Sequence, residues 1–173
     1  MTTTRLPQDG ALPTKLCSLD LGRRVLVTGN AGSGKSTLAD ALGARLSIPV
    51  FGLDAIVWQP RWRKTPEIEK RHRITALVSQ PAWVIDGVST QAVEAADTVI
   101  FLDVPRRACY MRVAQRNVSY LFRSRPGLPE HCPEILIVPK LAKIIWTFHA
   151  HVRPTILTEA TRREPSRSFV HVG

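Results

Sequence analysis

Gly29–Thr37 reads GNAGSGKST, and this stretch decides the fold. It fits the pattern G-x-x-x-x-G-K-[ST], with Gly29, Gly34, Lys35 and Ser36 in the fixed places. The spacing has a mechanical basis. Glycines let the backbone turn tightly and aim its N–H groups inward at an anion. The expected phosphate cradle is therefore the run Gly29, Asn30, Ala31, Gly32, Ser33, Gly34, Lys35, Ser36 and Thr37. Lys35 is placed to reach the terminal phosphates, and the Ser36 hydroxyl to bind the magnesium that travels with them. A following helix points the positive end of its dipole at the same place.

The flanks supply the context the motif needs. Arg23–Thr28, RRVLVT, is a short apolar run of the kind that forms a buried parallel strand. After the loop, Leu38, Ala41, Leu42 and Leu46 recur at helical spacing. Strand, loop and helix follow in that order.

The chain has 173 residues, which suits one domain with a real core. No apolar run approaches the roughly 20 residues that span a bilayer. Residues 1–22 are mostly polar and broken by prolines, lack a signal peptide's apolar centre, and read as a loose N-terminal extension to a single domain over 23–173. The three cysteines, Cys17, Cys109 and Cys132, show neither a metal-ligand spacing nor a disulfide framework, which suits a reducing cytoplasm. The net charge of +10 favours anionic partners without choosing among nucleotides, nucleic acid and acidic membranes.

Further along, strand and helix alternate, which predicts a parallel sheet covered on both faces. Strands are expected at Arg23–Thr28, Pro49–Leu53, Ala82–Ile85, Thr98–Leu102 and Ser168–Val172. Thr65 and Pro66 read as the N-cap and first residue of a helix running to Ser79. Another helix is expected from Pro105 to about Asn117, and a long one, interrupted at Pro139 and Pro154, ends near Ala160.

The series GNAGSGKSTLA, PVFGLDAIVWQPRW, WVIDG, ADTVIFLDVPRRACYMRVAQR and HCPE resembles the adenylate-kinase-like P-loop proteins often labelled DNA topology modulation protein. The match spans most of Arg23 to about Ala160. It implies an α/β P-loop NTPase three-layer sandwich with a five-stranded parallel sheet in the order 2-3-1-4-5, plus a short Arg-rich lid at about 118–134. It also implies ATP and Mg2+ as cofactors. Two departures stand out. The segment after Asp86-Gly87 is shorter than the family's and contains no arginine, which removes an expected substrate-phosphate contact. The chain also stops at Gly173, where relatives continue into a base-binding loop, so weak selectivity for adenine is expected.

Phosphoryl transfer needs positioning and charge stabilisation more than covalent chemistry. Ligands of open α/β sheets bind outside the carboxyl ends of the strands, where Asp54, Asp86 and Asp103 fall. Asp86 resembles the carboxylate that holds magnesium through water, with a plain turn aspartate before Gly87 as the alternative. Asp54 resembles the strand-two aspartate that orients an acceptor hydroxyl or takes its proton. Asp103 reads as a helix N-cap. Arg112 and Arg116 share a helical face, and the resemblance places them at the lid entrance facing the phosphates, with Arg123 and Arg125 on the lid. An arginine fork grips phosphate oxygens bidentately. Trp58, Arg61 and Trp62 read either as the lining of an acceptor pocket or as a small apolar cluster. Trp83 and Trp146 are assigned to packing, and Cys132 to a buried place under the lid.

The expected function is an ATP-dependent kinase of a small molecule or nucleotide. The alternatives are a nucleotide-binding regulatory or DNA-associated protein and an NTP-binding domain without an acceptor site. The charge permits nucleic acid, but no helix-turn-helix, zinc-finger or RNA-binding signature supports it.

Overall fold

The computed structural model describes Leu16 and residues 19–120, 136–162 and 167–173. Its elements are β1 (Arg24–Gly29), α1 (Lys35–Leu46), β2 (Val50–Gly52), α2 (Asp54–Val57), β3 (Trp58–Gln59), β4 (Arg63–Lys64), α3 (Glu67–Val78), β5 (Trp83–Asp86), α4 (Thr90–Ala95), β6 (Thr98–Leu102), α5 (Arg106–Tyr120), α6 (Val138–His151), α7 (Arg153–Arg162) and β7 (Ser168–Val172).

β1 lies between β5 and β6 and runs parallel to both. β2 adds in parallel beside β5, and β7 beside β6. The sheet order is β2-β5-β1-β6-β7, with β3 and β4 forming a separate antiparallel pair. Leaving that hairpin out of the count gives the expected order 2-3-1-4-5.

Strand residues alternate between the two faces of a sheet, and both faces here are covered. Val25, Val27, Val84, Ile100 and Leu102 share one core with Leu38 and Leu42 of α1, Cys109 and Val113 of α5, and Ile145 of α6. Leu26, Trp83, Ile85 and Val99 share another with Ile74 and Leu77 of α3 and Ala92 and Val93 of α4. Phe101 packs with Phe148 and Ile156 of α6 and α7. The result is a three-layer α/β sandwich. Leu16 and Leu21 are also buried in the first core, which anchors the end of the segment read as a loose extension. Among the described residues, no helix is long and apolar enough to cross a membrane.

Several local readings need correction. The cap position of α3 is Pro66, with no side-chain hydrogen bond, and the Thr65 hydroxyl is buried without a partner among the described residues. Pro139 and Pro154 sit in the first turns of α6 and α7 rather than inside one long helix. That is where a missing N–H costs nothing. Trp83 is fully buried, but Trp146 is 64% exposed, with the Arg106 guanidinium 4.6 Å from its ring centre. Trp146 follows the inward-facing Ile145 by one residue, a rotation that turns it outward. The short segment after Asp86 folds as α4, capped by Ser89, whose Oγ accepts from the Ala92 amide at 3.4 Å. The lid region and Cys132 fall almost wholly outside the described residues.

Asp103 is not acting as a helix cap. It receives Arg153 Nη2 at 2.7 Å and Nε at 3.0 Å, and His171 Nε2 lies 3.0 Å away. Burial works against its ionisation, but the hydrogen bonds from Arg153 and His171 outweigh it and hold its carboxyl below the ordinary value. A carboxylate with a depressed folded-state pKa gives stability that is present above its unfolded value, about 3.9, and lost as pH falls through the folded one. An Asp103→Asn variant should therefore melt lower at pH 7 by about 2 kcal/mol, the worth of a charge-assisted hydrogen bond. The gap to wild type should narrow below about pH 4. Thermal melts from pH 2 to 7 check this, and a gap independent of pH would refute the ion-pair account.

Candidate functional site

The loop between β1 and α1 is shaped by backbone that few residues other than glycine adopt. Gly32 has φ 77° and Gly34 φ 95°. A Cβ on Gly32 would stand 2.6 Å from the Cys109 carbonyl oxygen, so α5 forms the floor on which the loop rests. Cys109 itself is buried and donates its thiol to the Val104 carbonyl at 3.7 Å. Burial pushes its pKa up, against the pull of Lys35 and Arg112, which makes it a packing group rather than a nucleophile.

Inside the loop the polar groups satisfy one another. The buried Asn30 accepts from the Ala31 amide at 2.8 Å and donates through Nδ2 to the Ile145 carbonyl at 3.1 Å, fixing the loop to α6. Lys35 Nζ donates to the Asn30 carbonyl at 2.9 Å. That carbonyl also accepts from the Ser33 amide at 3.2 Å. Arg112 Nη1 donates to the Ser33 carbonyl at 3.1 Å. Gly34 caps α1, and the first intrahelical bond is Leu38 N–H to the Gly34 carbonyl, so the amides of Lys35, Ser36 and Thr37 have no acceptor within the helix. They face the loop with the positive end of the helix dipole.

Ser36 Oγ donates to Asp86 Oδ2 at 2.5 Å, joining the start of α1 to the end of β5. The other carboxylate oxygen, Asp86 Oδ1, is buried with no hydrogen-bond partner among the described residues. A hydroxyl beside a carboxylate with one unused buried oxygen is the all-oxygen donor set that suits magnesium and its bound waters. The residues present fit that cation.

Asp54 is exposed and opens α2, directly after Leu53, whose amide donates to the Asp86 carbonyl at 2.9 Å. This bond sets the backbone just before Asp54 against the end of β5. The hairpin follows at once, with Trp58 buried and Trp62 edge-on to it at 5.4 Å. The structure thus gathers Lys35, Ser36, Asp86 and Arg112 around the loop, with Asp54 alongside. Arg116 lies half-buried one helical turn beyond Arg112. Arg123 and Arg125 lie outside the described residues. Two contributors had no signal in the sequence: the Asn30 tie to Ile145 and the approach of Lys140 Nζ to within 4.1 Å of the Trp58 ring centre. Both join segments far apart in the chain.

No family profile and no curated protein matches the chain. Solved structures do. A shikimate kinase from Acinetobacter baumannii, in complex with shikimate, superposes with a TM-score of 0.55 at 16% identity, over 93% of this chain and 88% of that one. A shikimate kinase from Bacteroides thetaiotaomicron gives 0.49 at 19% identity, over 87% and 86%. A deoxyadenosine kinase from M. mycoides gives 0.45 at 14%, over 86% and 88%. At such identity the likeness to the Acinetobacter baumannii enzyme is one of fold alone.

Proposed function

We propose that the chain is an ATP-dependent phosphotransferase acting on a hydroxyl of a small molecule or nucleotide. The observation that carries this reading is the Ser36–Asp86 contact, a hydroxyl and a carboxylate meeting at the rim of a phosphate loop. The fold shared with the Acinetobacter baumannii shikimate kinase agrees with it.

In this reading the amides of Gly29–Thr37 hold the triphosphate, and Lys35 leaves the Asn30 carbonyl to grip its terminal groups. Ser36 and Asp86 would hold magnesium, which would supply positive charge to offset that of the triphosphate. Arg112 and Arg116 face the phosphates from α5, and the roles expected of Arg123 and Arg125 fall outside the described residues. Asp54 orients the acceptor hydroxyl. The acceptor oxygen forms a bond to the γ-phosphorus while the bond from that phosphorus to the β–γ bridging oxygen breaks. ADP leaves with the electron pair, and the hydroxyl proton passes to Asp54. The finer likeness to the topology modulation proteins rests on the motifs GNAGSGKST, WVIDG and HCPE.

A coupled ADP-release screen over nucleosides, nucleotides and small hydroxy acids tests the reading. Acceptor-stimulated turnover is the expected result. Tight ATP binding without stimulation by any acceptor would count against a kinase. The net charge of +10 also permits a second reading, a nucleotide-dependent DNA-associated protein. Duplex affinity at physiological salt that changes with ATP would favour that one, and such affinity should fall steeply with added salt.

A further inference from the structure

The hairpin that follows Asp54 carries more positive charge than a packing element needs. Trp58 and Gln59 pair with Lys64 and Arg63, so Trp58 and Lys64 stand opposite each other across the two strands. Lys140, from the first turn of α6, reaches the same place and sets its ammonium 4.1 Å from the Trp58 ring centre. Trp62 meets Trp58 edge-on with an interplanar angle of 84°. Two lysines from distant segments thus meet beside Trp58, one through the ring contact and the other through the strand pairing. Their proximity has an electrostatic signature: burial, then the charge of Lys64, holds the Lys140 ammonium below its ordinary pKa. Glu67 also feels Lys64, and Lys70 holds it at 2.7 Å.

Like charges brought close together repel unless an anion joins them. The position supplies a reason for one. The Trp58 amide donates to the Asp54 carbonyl, so the hairpin starts one helical turn from the aspartate assigned to the acceptor hydroxyl. Asp54 in turn follows Leu53, which is bonded to Asp86.

We propose that Lys64 and Lys140, converging on Trp58, bind the anionic end of the phosphoryl acceptor, which is a small hydroxyl compound bearing its own carboxylate or phosphate. This inference rests on the kinase reading and narrows it. Asp54 takes the hydroxyl end, the lysines take the charged end, and the Trp58 and Trp62 rings bound the body between them. Neutral nucleosides and sugars are poor acceptors on this account.

The test is direct binding, followed by tryptophan fluorescence and calorimetry, so that it does not depend on turnover. The probes are shikimate, gluconate and a nucleoside monophosphate, each matched with an uncharged counterpart: methyl shikimate, glucose and the nucleoside. At least one anion should bind saturably and tenfold or more tightly than its neutral partner, and added salt should weaken it. Lys64→Ala and Lys140→Ala should each weaken that anion by tenfold or more. Lys140→Arg should restore most of the loss, and a thermal shift by Mg-ATP reports that the variants fold. Preference for the carboxylates or for the monophosphate identifies which anion is read. Equal binding of charged and neutral partners, no binding by any of the anions, or indifference to both substitutions would overturn the proposal. Anion binding with no ADP release would instead leave this site standing and sink the kinase reading.

Discussion

A Lys35→Ala variant is expected to lose the nucleotide and keep the fold. A hydrogen bond to a charged group contributes about 1.5–3 kcal/mol, so Mg-ATP affinity should fall by roughly 10- to 150-fold. Turnover should fall further, by roughly 10²–10³, because the ammonium faces charge that develops during transfer. The structural penalty is small for a specific reason. Lys35 Nζ rests on the Asn30 carbonyl, and the Ser33 amide continues to serve that oxygen when the lysine is gone. No buried acceptor is stranded, so the melting temperature should stay near that of the wild type. Calorimetry with Mg-ATP and a thermal melt on one sample measure both. Unchanged affinity would refute the assignment of the loop, and a collapsed melt would recast Lys35 as a structural residue.

The second large effect is expected at Asp86. Asp86→Asn keeps an oxygen to accept from Ser36 but removes the negative charge from the end of β5. Acceptor-stimulated turnover should fall by roughly 10²–10³, the range found for single groups that stabilise transition-state charge. The variant should also need far more magnesium to approach its maximum rate, while binding of metal-free nucleotide changes little. Stability should shift by less than about 1 kcal/mol, since the substitution also neutralises the buried, unpartnered Oδ1. A magnesium titration of rate at saturating ATP separates the two readings of this residue. If Asp86 is only a turn residue before Gly87, the titration curve will not move.

The parts legible in the sequence are those that local chemistry dictates. The apolar run of β1, the glycines of the loop and the helical spacing of Leu38 and Leu42 lie in one continuous stretch. They specify strand, turn and helix without outside help. Thr98–Leu102 and Ser168–Val172 fall where expected because each is a β-rich run flanked by residues that favour turns or loops. The β3–β4 hairpin was invisible, since two-residue strands carry no periodicity. Its turn also depends on positive φ at Arg61 and Trp62, which neither residue type advertises. Asp103 was misread because its real partners, Arg153 and His171, arrive from α7 and β7. A cap is a local inference, and an ion pair closed by the sheet is not. Lys140 escaped for the same reason: its meeting with Trp58 is made by the packing of α6.

Within the loop, both groups that the proposed function assigns to the ligand already have a companion: Lys35 the Asn30 carbonyl, and Ser36 the Asp86 carboxylate. Loading is then an exchange of companions rather than an ordering of slack chain. Such a pre-set mould spends little of the incoming nucleotide's affinity on freezing backbone. It also sets a toll on entry, because a bare cation must pry the hydroxyl from the carboxylate before it gains anything. The metal should therefore arrive escorted by the triphosphate, not ahead of it.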